Sequence, residues 1–307
     1  CQLMDNLNSR IFSTSYSCSP LTSIETCLAS HKAPLKFVIL ELGCCFTAPV
    51  SITFNHSVIS TTVMATLAAG NVILLDLMAA ALTLAGPLAV LQLFHELAKR
   101  DLLEKMLSRK LVHILAGLVF MLPWPLFSMS PYAKYMAAFA MAANGLRMIG
   151  LGLGLLKDDA LVKAISREGD KRELLKGPLY YAISITVATV CFWRNSPVGA
   201  VAVANLCAGD GFADIVGRNY GTEKLPYNHS KSYIGSLAFF AAASLASMGC
   251  TLYFASFGYF EATWRTYLTT IAVSLYAAIV ESLPLPIDDN LTVTFITIAV
   301  GMLLLPY

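Results

Sequence analysis

The chain has 307 residues, 57% of them hydrophobic and only 13% charged, with a formal net charge of +2. A soluble domain carries about 25% charged residues, so a solvated globule of this size would lack half its usual surface charge. The near-neutral balance, with no basic arm or stripe, also argues against a nucleic-acid partner. Residues 95–110, 157–176 and 209–231 hold eight, eleven and six of the charged side chains, and apolar stretches run between them. Spanning the hydrocarbon of a bilayer takes about 20 apolar residues in a helix. The pattern therefore predicts an all-α, polytopic helical membrane protein.

Residues 1–63 differ from the rest of the chain. They are rich in Ser and Thr, and Arg10, Lys32 and Lys36 are matched by Asp5, Glu25 and Glu41. Ser-rich, acid-poor composition marks plastid targeting segments, so this stretch fits in part and is expected to be targeting or non-mature sequence. Met64 is a candidate initiator, and residues 64–307 are expected to form one polytopic domain. About seven transmembrane segments are expected, at 72–94, 111–129, 132–156, 178–193 with 197–208, 233–256, 267–286 and 291–306. The pair divided by Arg194-Asn195-Ser196-Pro197 has pieces short for a full span and reads as two thin helices or a re-entrant pair. In either case loops 95–110, 157–177, 209–231 and 284–290 fall on one face. That face carries 14 Lys and Arg, against Lys134, Arg194 and Arg265 opposite, and the positive-inside rule assigns it to the cytosol or stroma. Eight cysteines without a C-x-x-C pair read as small hydrophobes, not as a zinc or disulfide framework.

Four polar groups interrupt this apolar background. At the start of the second segment stand Arg109, Lys110 and, one turn deeper, His113, which suits phosphate contact or proton acceptance. Residues 157–176 mix both charge signs and read as a helix on the membrane surface. Asn144 and Arg147 within an apolar run are expected to line a cavity, whereas Asp76 has no evident partner. The block from Gly209 to Lys231 is richest. Asp210 and Asp214 are four apart and share a helix face, a spacing suited to Mg²⁺ held by carboxylates and substrate phosphates. Gly209, Gly211, Gly217 and Gly221 would let backbone amides approach an anion, with Arg218, Lys224 and Lys231 supplying positive charge. No Walker A loop is present, because Ser230 precedes Lys231-Ser232 where a glycine is required. Finally, Glu281 closes an apolar helix and is followed by Asp288, Asp289 and Asn290; an acid at that depth is costly enough to suggest function.

Five ordered strings within residues 70–307 resemble the plant chloroplast phytol and farnesol kinases, members of the polyprenol kinase family related to dolichol kinases. They are Arg109-Lys110-Leu111-Val112-His113, the run from Glu173 to Leu179, and Gly209-Asp210-Gly211-x-Ala213-Asp214-x-x-Gly217-Arg218. Lys224-Leu225-Pro226-Tyr227-Asn228 and Glu281-Ser282-Leu283-Pro284 with Asp288-Asp289-Asn290 complete the set. Stretches at 157–159 and 205–209 look nearer to the farnesol branch. The resemblance implies a multi-pass chloroplast membrane enzyme that phosphorylates a long isoprenoid alcohol, typically from CTP, with phytol salvage feeding tocopherol synthesis. On this reading Mg²⁺ sits on Asp210 and Asp214 with Asp288 or Asp289, and Gly209, Gly211, Gly217, Arg218, Lys224, Asn228, Lys231, Arg109 and Lys110 contact the nucleotide. An aspartate or His113 takes the hydroxyl proton, with Glu281 and Asn290 close by. A membrane cytidylyltransferase and an ion-coupled transporter are the rival readings.

Overall fold

The computed structural model describes residues 72–166 and 168–305, and the expected segment 1–63 lies outside them. Ten α-helices and one small hairpin make up the described chain. They are α1 (Val72–Lys99), α2 (Lys105–Met121), α3 (Ala133–Gly152), α4 (Asp159–Ile165), α5 (Gly177–Cys191), α6 (Pro197–Ala204) and α7 (Asp210–Tyr220), then β1 (Lys224–Leu225) and β2 (Asn228–Ser232), then α8 (Tyr233–Ser256), α9 (Trp264–Ser282) and α10 (Asp289–Leu304).

Local chemistry sets the helix starts. Ser196 caps α6 by accepting from the Val198 amide, with Pro197 at the first position, where its missing N–H costs nothing. Ser232 caps α8 through the Gly235 amide, and Thr263 and Thr266 form a reciprocal capping box at α9. α6 is Val, Ala and Gly throughout after its proline, and all eight of its residues are buried. A helix that is apolar on every side belongs at the centre of a bundle, and α6 packs there among α5, α8 and α10.

Three expectations change here. Among the described residues, five helical stretches are long and apolar enough to cross a membrane: 72–99, 105–126, 171–191, 197–220 and 233–256. The other expected segments are also helical, but α3 and α9 dilute their apolar residues with polar ones and α10 has 16 residues. Furthermore, segment 197–208 does not end in a loop. A π-helical turn, Asn205–Gly209, joins α6 to α7, so the helix continues to Tyr220. The surface helix expected over 157–176 is two short pieces, α4 and a 3-10 turn at Lys171–Leu175.

The bundle has two polar ends. At one, Arg194 and the tyrosines Tyr253 and Tyr259 bond to carbonyls between Leu122 and Ser128. At the other, residues from all four loops predicted to share a face border a single cavity of about 1220 Å³ or the charged cluster beside it. Asn205, fully buried between these ends, accepts from Ser247 and Ser274 and donates to Thr297, tying α8, α9 and α10 to the π turn.

Candidate active site

The site forms where α2, α7, the hairpin, α9 and α10 converge. Asp210 opens α7 and is nine-tenths buried. Its Oδ2 lies 3.2 Å from Lys110 Nζ and 3.4 Å from His113 Nε2. Asp214, one turn on, is 3.5 Å from Lys110 and 2.7 Å from Arg218. The i, i+4 spacing thus presents both carboxylates to α2, one turn of which carries Lys110 and His113.

His113 Nε2 is 3.2 Å from the Leu206 carbonyl within the π turn. A carbonyl only accepts, so Nε2 carries the proton, and in the neutral ring Nδ1 is the proton-free nitrogen. Tyr181 fixes the ring further: its ring centroid lies 4.4 Å away, and its hydroxyl donates to the His113 carbonyl at 2.8 Å.

The second half of the site centres on Lys231, from β2. Its ammonium bonds to Glu281, at the end of α9, and to Asp289 at 2.7 Å, at the start of α10. Burial works against the charged lysine, but the two carboxylates outweigh it and raise its pKa above the ordinary value. Glu281 is 2% exposed, and its Oε2 is buried with no hydrogen-bond partner. Carboxylate oxygens of Asp210, Glu281 and Asp289 all lie within 4.8 Å of one another, so the two halves meet.

The remaining sequence candidates take other positions. Asp288 accepts from the backbone amide and side-chain nitrogen of Asn290 and so caps α10, and Asn290 also donates to the Gly177 carbonyl. Asn228 is buried and donates to the Ser282 carbonyl, holding the hairpin to the end of α9. Arg109 lines the cavity. Lys224 is exposed on β1 and forms no ion pair among the described residues. Of the glycines singled out in the sequence, Gly209, Gly211 and Gly217 lie in helical turns, and Gly221 follows the end of α7. A Cβ on Gly209 would sit 2.7 Å from the Phe239 ring, and one on Gly211 would collide with Ile114. Both residues therefore let helices approach closely. Sequence reading missed Tyr181, which carries no signal beyond being an aromatic in an apolar run, and it left Asp76 unexplained. Asp76 accepts from the Ser128 amide and hydroxyl at 2.6 and 2.8 Å.

The cavity opens beside Lys110, His113 and Asp210, and Asn144 and Arg147 stand in its α3 wall, as expected. Its deeper lining is apolar, ending at Phe120, Ala140 and Met141. A charged rim over an apolar body suits a ligand with a polar head and a hydrocarbon tail.

Comparison with known proteins gives the same direction. The chain is 54% identical over 230 residues to the probable phytol kinase 2, chloroplastic, of Oryza sativa subsp. japonica, covering 74% of this chain and 76% of the relative. It is 48% identical to the farnesol kinase, chloroplastic, of Arabidopsis thaliana, covering 76% of this chain and 77% of that one. With phytol kinase 1, chloroplastic, of the same plant, identity is 44% over 78% of this chain and 80% of the relative. No family model and no solved structure matches the chain.

Proposed function

The chain belongs to the family of plant chloroplastic phytol and farnesol kinases, and from that premise we propose that it transfers a phosphoryl group from a nucleoside triphosphate to an isoprenoid alcohol in a chloroplast membrane. The observation that carries this reading is the meeting of four carboxylates and two lysines at the mouth of a cavity with an apolar body. Phosphoryl transfer needs positioning and charge stabilisation more than an activated protein nucleophile, and the cluster offers both.

Asp210, Glu281 and Asp289 fit a divalent cation. They present hard oxygen donors close together, and Glu281 Oε2 is a buried acceptor with no partner. Mg²⁺ takes such oxygens together with substrate phosphates, and when bound it would offset the charge of those phosphates. Lys110 and Lys231 are placed to receive phosphate oxygens in exchange for the carboxylates they now hold. Arg218 fixes Asp214 and leaves Asp210 facing inward. The alcohol lies with its tail in the apolar body and its hydroxyl beside Asp210 and His113. Either Asp210 or the Nδ1 of His113 accepts the hydroxyl proton as the oxygen attacks the terminal phosphorus, whose bond to the β-phosphate oxygen breaks to release the nucleoside diphosphate.

CTP as donor, phytol or farnesol as acceptor, and a place in phytol salvage for tocopherol synthesis are the finer parts of this proposal. The excess of Lys and Arg on the cluster's face supports a stromal site, where nucleotides are available. Membranes containing the chain, given γ-labelled CTP, Mg²⁺ and phytol or farnesol, should yield a labelled prenyl monophosphate. Label retained in the lipid from α-labelled CTP instead would identify a cytidylyltransferase and overturn the kinase reading.

A further inference from the structure

The helix from Pro197 to Tyr220 carries Asp210 and Asp214 just beyond a π turn, Asn205–Gly209. Such turns close on i→i+5 bonds and are rare, so the Val-Ala run of α6 supplies no local reason for one. What the turn changes is phase. It holds one residue more than an α turn, and each residue of an α-helix advances about 100°. Wound as α throughout, the helix would turn Gly209 and Ala213 toward α2 in place of Asp210 and Asp214. Lys110 would then lose both of its carboxylates, and Asp210 would leave Glu281 and Asp289.

The first residue of the turn is pinned on three sides. Asn205 is fully buried and accepts from Ser247 on α8 at 2.8 Å and from Ser274 on α9 at 2.9 Å, and it donates to Thr297 on α10 at 3.3 Å. Hydrogen bonds between membrane helices each add little stability, so holding the bundle together is a weak reason for an amide at its centre. The next two residues of the turn meet the site. The Leu206 carbonyl takes His113 Nε2, and Cys207 Sγ lies 3.3 Å from the Tyr181 hydroxyl that donates to the His113 carbonyl. Here α2 runs so close that a Cβ on Gly117 would collide with Cys207.

Resting on the kinase reading above, we propose that Asn205 is a positioning residue. Its three bonds hold the π turn, and the turn aims Asp210 and Asp214 at α2 and fixes the His113 ring. No residue from Asn205 to Gly209 lines the cavity, so the room for the alcohol does not depend on the turn.

The test compares Asn205→Leu with the unmodified full chain in vesicles. Leucine fills nearly the same space, and the three freed hydroxyls can bond carbonyls of their own helices, so the variant should fold. Without nucleotide, its affinity for Mn²⁺ should fall about tenfold or more, because Asp210 leaves the other two carboxylates. Its kcat should fall about a hundredfold, with the KM for the alcohol held within about threefold. Deleting Ala208 from Asn205→Leu removes the extra residue, so that α winding returns Asp210 to α2. Mn²⁺ affinity should then recover to within about threefold of the unmodified chain, whereas a merely structural Asn205 predicts a further loss. Unchanged Mn²⁺ affinity in folded Asn205→Leu, or a further fall on deletion, would overturn the proposal. If Asn205→Leu does not fold, Ser247→Ala with Ser274→Ala removes two of the three bonds and should weaken Mn²⁺ about threefold or more, and no change would count against it. If only the deletion fails to fold, the single variant decides. An unmodified chain that binds no Mn²⁺ would overturn the proposal with its cation site. No phosphorylation of any prenol by the unmodified chain removes the kinase reading, while the Mn²⁺ measurements still decide the role of the turn.

Discussion

The two ends of the bundle each hold a buried or half-buried cation, and they hold it by opposite means. Lys231 at the cavity end is gripped by carboxylates, Glu281 and Asp289. Arg194 at the far end, 2% exposed, donates to the carbonyls of Trp124, Phe127 and Ser128 at 2.6–2.7 Å, and its guanidinium lies 4.7 Å from the Tyr259 ring. Carbonyls and ring faces are fixed by the fold and leave Arg194 nowhere else to go. Carboxylates can exchange one cation for another, as the proposed uptake of a metal and phosphates would require. One end is built to hold still and the other to trade partners, so damage to each should appear in different measurements.

The sharpest separation is expected from Asp210→Asn. The side chain keeps its shape and loses its charge, so phosphorylation should fall by about a thousandfold at an unchanged melting temperature. A loss of folding instead would place Asp210 with the structural end.

Lys231→Met should affect both readouts. It leaves Glu281 and Asp289 facing each other in a part-buried site, so activity should drop at least a hundredfold and stability by about 3 kcal/mol. Binding of Mn²⁺ without nucleotide should tighten, because the competing ammonium is gone. Weaker Mn²⁺ binding would contradict exchange between lysine and metal.

Arg194→Leu should destabilise by about 3 kcal/mol, since three buried carbonyls lose their donor, while the folded fraction keeps its turnover number within about threefold. Combined with Asp76→Asn, which loosens the same Ser128 segment, the losses should be less than additive. A turnover defect larger than the stability defect would mean that the two ends communicate.

The smallest effects separate two glycines of α7. Gly211→Ala forces a methyl against Ile114 and should cost about 1–3 kcal/mol. At Gly217 the nearest atom is Ser232 Oγ at 3.4 Å, so Gly217→Ala should be almost neutral in stability. If Gly217→Ala nevertheless weakened nucleotide binding, the amide role expected from the sequence would regain support over simple packing.

Much of the active end was legible in the chain itself. The i, i+4 pair Asp210 and Asp214, the Lys110 and His113 face of α2, and the acids around Glu281 each stand out because charge in an apolar sequence is costly. Loop parity alone put them on one side of the bundle. Gly209 and Gly211 carry a packing role that the chain did not reveal for a local reason: glycine serves both loops and tight helix contacts, and only the partners Phe239 and Ile114 show the latter.

Sequence by itself determined the helical, membrane-suited class of the protein and singled out most of the polar residues that the fold gathers into one cluster, because apolar run length and the cost of isolated charge are properties of short windows. Tertiary structure alone decided that the helix runs unbroken from Pro197 to Tyr220, that Lys231 spans 50 and 58 residues to Glu281 and Asp289, and that Asp76 serves the segment held by Arg194. Those pairings join distant windows, and no local periodicity specifies which charges the packing of helices will bring together.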